Sequence, residues 1–183
     1  FLPVGQGDAA VLELPSGAVV VVDVGPVGAG QRVVVPYLRA RGISRVDLLV
    51  LTHPHADHVG GLGELIAALP VGRVWWTGDR REAPAALLEP LAGLPTEVVR
   101  AGQRWRSGAV ELEVLGPVRS ATLARDINDG SVVLRVGYGA RALLLTGDAE
   151  LPAEAQLLAA GRPLAADVLK LGHHGSRSST GEA

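Results

Sequence analysis

The first half of the chain alternates short apolar runs with amphipathic segments. Residues 9–14 and 18–23 predict two strands, and the turn Pro15-Ser16-Gly17 between them is typical of a hairpin. Residues 33–41 place Val34, Tyr37 and Leu38 on one helical face and end before Gly42, as helices often do. The other elements predicted here are strands at 47–52, 73–77 and 97–100 and helices at 61–69 and 84–92.

The second half is richer in strands, which are predicted at 103–106, 110–115, 131–136, 141–146 and 167–171. A helix is predicted at 152–160, with proline in its first turn. Because strands occur in both halves and helices lie between them, the pattern predicts an α/β fold, a sandwich of two sheets with helices on its outer faces.

Polar residues able to bind a metal recur where an apolar strand ends. Asp23, His53, Asp148 and His173 each follow such a run. If these strands are neighbours, their ends converge on one rim, where loops on a rigid scaffold can assemble a site.

The segment from Thr52 to His58 holds three of the five histidines and one aspartate. In extended backbone His53 and His55 project to the same side, so the two imidazoles can grip one ion. Asp57 and His58 follow at the turn and can face a second ion. The alternative is a polar loop that is merely rich in histidine.

Composition narrows the chemistry of the 183 residues. The chain has no cysteine, which excludes disulfide partners and thiolate ligands, so a metal site must use histidine and carboxylate. The net charge of -2 gives no global basic field for nucleic acid. Apolar runs are too short for a membrane span, no signal peptide is apparent, and methionine is absent. We therefore expect one domain over 1–183, excised from a larger protein and soluble as a piece.

The strongest resemblance is carried by His53-x-His55-x-Asp57-His58, with Asp23 before it and Gly147-Asp148 and a late histidine after it. This pattern resembles the metallo-β-lactamase superfamily. Residues 1–9, 51–61, 145–150 and 170–176 look like the C-terminal domain of the ComEC competence proteins, the channel for DNA uptake.

The resemblance implies an αββα sandwich with a two-metal site on one edge. His53 and His55 would bind the first metal, and Asp57 and His58 the second. Asp148 would bridge both ions. His173 would be the last ligand of the second site, and His174 is the alternative for that role. Asp23 would support the histidine loop.

Two departures from the family pattern change what is expected. Where most relatives carry a further histidine, this chain has Asn128 and Asp129; either of them would supply an oxygen in place of an imidazole and shift the preference from zinc towards manganese. The same Asn-Asp-Gly segment is also a strong turn sequence. Pro3 stands where the family usually has aspartate, and the family's last strand is expected to be missing after Ala183.

These features predict a metal-dependent phosphodiesterase or nuclease that acts on DNA during uptake. Asp57 or Asp148 would orient the attacking water, and Ser176 would contact phosphate unless it belongs to a solvated polar loop. The expected partners are DNA and the remainder of a bacterial membrane channel. The alternatives are a stand-alone hydrolase of small esters, phosphoesters or lactams, and a weakly catalytic DNA-binding channel domain.

Overall fold

The computed structural model describes residues 1–82 and 88–181. These residues form two compact units. The first comprises the described parts of 1–76 and 80–97, and the second comprises 77–79 and the described part of 98–183. Each unit contains its own group of candidate site residues.

The first unit is built on a sheet with strands in the order β1-β2-β3-β4-β5. The predicted hairpin is confirmed, since β1 pairs antiparallel with β2, and β3 runs parallel to both β2 and β4. Strands β2 and β3 are buried at every position, which explains their unbroken apolar sequence in a parallel arrangement. The strands are Ala10–Glu13, Val19–Val22, Leu48–Val50, Val74–Trp76 and Thr96–Val98.

The described residues of the first unit include the helices α1, α2 and α3. α1 (Val35–Ala40) continues a π-helical turn at Gly30–Val34, so the predicted helix begins earlier than expected and with different geometry. α2 (Ala56–Val59) replaces the turn expected inside the histidine segment, and α3 (Leu62–Ala68) matches its prediction. The predicted helix at 84–92 lies partly outside the described residues, and Glu89–Gly93 is a 3₁₀ helix.

The second unit is built on a sheet with strands in the order β10-β9-β8-β7-β6. Strands β6 to β9 form an antiparallel meander, and β10 pairs parallel with β9. The core of this unit joins Leu115, Val133 and Leu144 to Leu157 of α4 (Leu151–Ala159). The strands are Arg104–Ser107, Val110–Gly116, Val133–Tyr138, Arg141–Leu145 and Val168–Lys170.

The predicted mixed α/β class with two sheets is confirmed. Three 3₁₀ turns of the second unit were not predicted, because three or four residues are too few to show a helical period. They are Ala121–Leu123, Asn128–Gly130 and Gly172–Gly175, and the last two carry predicted site residues. Within 1–82 and 88–181, no helix combines the length and apolar character needed to cross a bilayer.

Candidate metal centre

The histidine segment of the first unit turns from strand to helix. His55 is the N-cap of α2, with extended backbone, and its carbonyl accepts hydrogen bonds from the backbone N–H groups of His58 and Val59 at 3.0 Å each. This turn returns His58 to the other two imidazoles. The ring centroid of His53 lies 4.7 Å from that of His55 and 4.1 Å from that of His58.

The predicted convergence of His53 and His55 is observed. His53 Nε2 lies 3.1 Å from His55 Nδ1, and His53 Nδ1 lies 3.1 Å from the hydroxyl of Thr52. His53 and His58 are buried, whereas His55 is half-buried and its Nε2 lies 3.6 Å from the exposed Glu82 carboxylate. The three imidazoles form one cluster.

Asp23 forms hydrogen bonds with Thr52 and contacts His58 of this cluster. Its two oxygens accept the backbone N–H of Thr52 at 2.8 Å and the Thr52 hydroxyl at 2.7 Å. The Oδ2 atom also lies 2.8 Å from His58 Nδ1. This contact assigns Nε2 of His58 as the nitrogen available for a metal, since a carboxylate on the opposite ring nitrogen orients a ligand in this way.

Burial raises the pKa of Asp23, and this effect exceeds the opposing effects of His58 and Thr52. Asp23 also adopts the left-handed backbone conformation, with φ of 56°. A buried carboxylate in a sparsely populated conformation persists only where its surroundings over-determine it. The predicted supporting position of Asp23 below the histidine loop therefore has a structural basis.

Two further carboxylates lie near the histidine segment. Asp57 is in the first turn of α2, and its carbonyl accepts the backbone N–H of Asp8 at 3.3 Å. A carboxylate oxygen of Asp8 lies within 4.8 Å of a ring nitrogen of His58. The chain can approach so closely only because residue 7 is glycine, where an ideal Cβ would lie 2.0 Å from the Asp57 carbonyl oxygen. Asp8 was not among the residues predicted from sequence.

In the second unit, Asp148 follows β9 and is buried. Its backbone N–H donates to the Ser131 hydroxyl at 3.2 Å. Its Oδ2 lies 3.3 Å from Nε2 of His174, and its Oδ1 lies 4.0 Å from Nζ of Lys170. Among the two adjacent histidines, His174 is thus the one beside Asp148, although the sequence favoured His173.

His173 is held by a different carboxylate. Its Nδ1 lies 2.7 Å from Oε1 of Glu150, which also accepts the Ser178 hydroxyl at 2.8 Å. Both histidines have left-handed backbone, with φ of 44° at His173 and 53° at His174. Consecutive left-handed residues that are not glycine are strained, and such strain clusters at functional sites.

Asn128 and Asp129 occupy a 3₁₀ turn and differ in role. Asn128 Nδ2 donates to Glu150 Oε1 at 3.5 Å, whereas its Oδ1 is buried with no hydrogen-bond partner among the described residues. Asp129 Oδ1 accepts the backbone N–H of Ala153 in the first turn of α4. Burial raises the pKa of Asp129. Asn128 therefore has an acceptor to offer, while Asp129 caps a helix.

Ser176 belongs to a hydroxyl pair within its own loop. Its Oγ lies 2.9 Å from that of Ser178 and accepts the backbone N–H of Ser178 at 3.3 Å. These contacts match the alternative of a polar loop. Glu150 and Lys170 were not among the site residues predicted from sequence, although both lie in segments that carry the family resemblance.

The donors of each unit suit a divalent ion. The first unit offers converging imidazole nitrogens and carboxylates, and the second offers the Asp148 carboxylate, an imidazole and the orphaned Asn128 oxygen. Nitrogen and oxygen donors without thiolate are typical of zinc and manganese sites. A metal held by such donors can activate water for hydrolysis.

Comparison with known proteins decides the family. Residues 2–183 match the model of the family described as metallo-beta-lactamase superfamily. The chain belongs to this superfamily. The superfamily membership expected from the histidine motif is thereby confirmed, and proteins of this superfamily are usually metal-dependent hydrolases.

Its relatives include competence proteins, as the resemblance to ComEC predicted. ComE operon protein 3 of Bacillus subtilis (strain 168) is 31% identical over 205 residues, which cover 100% of this chain and 26% of that protein. Competence protein ComA of Neisseria gonorrhoeae is 37% identical over 181 residues, covering 96% of this chain and 23% of that protein. The chain thus spans about a quarter of each relative.

Solved structures agree on the fold. The CmlA beta-hydroxylase E377D mutant matches with a TM-score of 0.61 and 21% identity, over 92% of this chain and 34% of that one. Rm3 metallo-beta-lactamase matches with a TM-score of 0.59 and 18% identity, over 91% and 72%. One of these proteins is titled a hydroxylase and the other a lactamase, so the fold alone does not specify the reaction.

Proposed function

We propose that this chain is a metal-dependent phosphodiesterase that hydrolyses DNA as part of a larger DNA-uptake protein. The observation that carries the proposal is the cluster of His53, His55 and His58, in which buried Asp23 holds the ring of His58. Membership of a superfamily of metal-dependent hydrolases supports hydrolysis. Similarity to competence proteins supports DNA as the substrate and a membrane channel as the rest of the protein.

Two divalent ions, manganese or zinc, are proposed as cofactors. His53 and His55 would bind the first through the facing Nε2 and Nδ1 atoms, and His58 would bind the second with Asp57. In the second unit, we assign the metal-binding histidine to His174 rather than His173, because His174 lies beside Asp148. Asp148 is proposed as a metal ligand beside His174.

Asn128 is proposed to contribute its Oδ1 atom to metal binding, in place of the histidine found in most relatives. Support comes from its position, buried and without a hydrogen-bond partner among the described residues. An amide oxygen is a harder ligand than imidazole, so this substitution favours manganese over zinc. Asp129, occupied at the start of α4, is not assigned as a ligand.

When bound, the ions would lower the pKa of water towards about 7 and offset charge on the phosphodiester. The carboxylate of Asp57 or Asp148 orients the attacking water and takes its proton. The water oxygen forms a bond to phosphorus, the ester P–O bond breaks, and the departing sugar oxygen receives a proton. Asp23 keeps the His58 ring in place throughout.

The test is cleavage of DNA by the purified chain. After removal of metal by chelation and addition of manganese, zinc or magnesium, single- and double-stranded oligonucleotides and bis-p-nitrophenyl phosphate serve as substrates. We expect manganese-dependent cleavage of single-stranded DNA. His55→Ala and Asp148→Ala should lower the rate at least about 100-fold, since even the loss of a residue that supports a metal ligand costs 10–100-fold.

Asp167→Ala is the matched control for Asp148→Ala, because Asp167 pairs with Arg141 at the surface of the same unit. Its activity should equal that of the unsubstituted chain, and circular dichroism should verify that all variants are folded. Absence of hydrolysis with every metal would overturn the proposal. Cleavage of the small phosphodiester with DNA untouched would instead indicate a small-phosphoester hydrolase, and DNA bound but uncut with at most one ion would indicate a binding domain.

A further inference from the structure

A second polar feature of the second unit lies outside the metal-binding residues. It is a surface pocket of about 150 Å³. We call it the arginine pocket, since two arginines line it. Its polar or charged lining residues are Arg119, Ser120, Arg125, Asp129 and Gln156.

Arg119 and Arg125 are exposed and form no ion pair or hydrogen bond within the part of the chain that the structure describes. Two other arginines of this unit are engaged in ion pairs, Arg104 with Glu113 and Arg141 with Asp167. Two guanidinium groups without a partner at one concave surface provide a local positive charge on a chain whose net charge is -2. An anion is the ligand that such a surface favours.

The remaining groups around the arginine pocket are compatible with an anion. The Ser120 hydroxyl lies 3.0 Å from that of Thr122 and can turn to donate to a ligand. The acidic residue in the lining is Asp129, and one of its oxygens is directed at the backbone N–H of Ala153. Asp126, nearby in sequence, accepts the backbone N–H of Asn128. Both carboxylates thus have backbone donors of their own.

The arginine pocket adjoins a proposed metal ligand, because Asp129 in its wall directly follows Asn128. We infer that the arginine pocket binds a backbone phosphate of the nucleic-acid strand that the metal centre is proposed to cleave. The inference rests on that proposed function. Arginine suits this role, since its planar fork donates two parallel hydrogen bonds to phosphate oxygens.

The experiment measures binding separately from cleavage. A fluorescent single-stranded oligonucleotide is titrated with the chain in the presence of a chelator, and anisotropy gives Kd over a range of salt concentrations. The double variant Arg119→Ala/Arg125→Ala should bind more weakly. The slope of log Kd against log salt should fall by about 0.7, since one single-strand phosphate contact contributes about 0.7.

Arg39→Ala is the matched control, because Arg39 is an exposed arginine of α1 in the other unit, and its slope should be unchanged. Arg119→Lys/Arg125→Lys should retain most of the slope, since lysine keeps the charge. Equal slopes for the double alanine variant and the control would overturn the inference, as would failure of the unsubstituted chain to bind.

Inorganic phosphate separates a strand phosphate from a free anion. We expect it to compete with the oligonucleotide only weakly, because a strand presents several phosphates to the protein at once. If inorganic phosphate displaced the oligonucleotide at a phosphate concentration close to the Kd of the oligonucleotide, the arginine pocket would be a site for a free anion and the inference would be overturned. Binding that depends on Arg119 and Arg125 without any cleavage would refute the nuclease proposal but leave the arginine pocket as a phosphate site.

Discussion

A hydroxyl, a carboxylate and an imidazole meet in each unit at nearly equal distances. In the first unit, Asp23 lies 2.8 Å from His58 Nδ1 and accepts the Thr52 hydroxyl at 2.7 Å. In the second unit, Glu150 lies 2.7 Å from His173 Nδ1, and a serine hydroxyl donates to it at 2.8 Å. The two triads differ in burial, since the side chains are 0% and 1% exposed in the first histidine–carboxylate pair but 33% and 19% exposed in the second.

This difference in burial predicts that the first triad contributes to the stability of the fold and that the second contributes little to it. A buried carboxylate or imidazole that loses its partner retains the full cost of desolvation, so the triad of Asp23 stabilises the fold as well as orienting a ring. Water can replace a lost partner of Glu150, so that triad orients His173 at little cost in stability. The same contacts thus carry different consequences.

The largest expected effect on stability is that of Asp23→Ala. The substitution removes the buried acceptor of the Thr52 backbone N–H and hydroxyl and the carboxylate beside His58 Nδ1. We expect the free energy of unfolding to fall by about 3 kcal/mol and metal affinity to fall 10–100-fold. Urea denaturation and metal titration by calorimetry measure the two effects.

Glu150→Ala is the control that tests the comparison, because it removes the corresponding carboxylate from the exposed triad. Its loss of stability should be well below that of Asp23→Ala. Equal losses of stability for the two variants would show that burial does not distinguish the triads.

The second prediction concerns the two adjacent histidines. His174→Ala removes the imidazole that lies 3.3 Å from Asp148, whereas His173→Ala removes one held by Glu150. We expect His174→Ala to weaken metal binding by at least about 100-fold and His173→Ala by about 10-fold. Calorimetric titration of manganese into metal-free protein measures both, and the reverse order would restore the sequence-based preference for His173.

Sequence patterns predicted the features of the structure that depend on local periodicity. Alternation along an extended chain indicated that His53 and His55 share a side, and their ring nitrogens meet at 3.1 Å. Apolar runs located the strands of both sheets, although their ends moved by one or two residues. The fold class followed from these runs and from the motif together.

The contacts that the sequence did not predict join residues distant along the chain or depend on unusual backbone. Asp23 and His58 are 35 positions apart, and no pattern indicates that the aspartate reaches that ring. Glu150 reaches His173 across 23 positions. The left-handed backbone of His173 and His174, which directs the two rings to different carboxylates, has no signal in the residue types.

The smallest expected effect belongs to Glu150→Gln. Glutamine keeps the shape and an acceptor oxygen but removes the charge that favours one orientation of the His173 ring. Because Glu150 Oε1 also accepts Nδ2 of the proposed ligand Asn128, we expect metal affinity to fall by about 10-fold, at the lower limit for residues that support a ligand, and stability to change by less than about 1 kcal/mol. Manganese titration and urea denaturation are carried out on this variant and on Glu150→Ala. The difference between the two variants separates the contribution of the Glu150 charge from that of its hydrogen-bond contacts. If the glutamine variant lost as much stability as Asp23→Ala, the exposed triad would be as structural as the buried one.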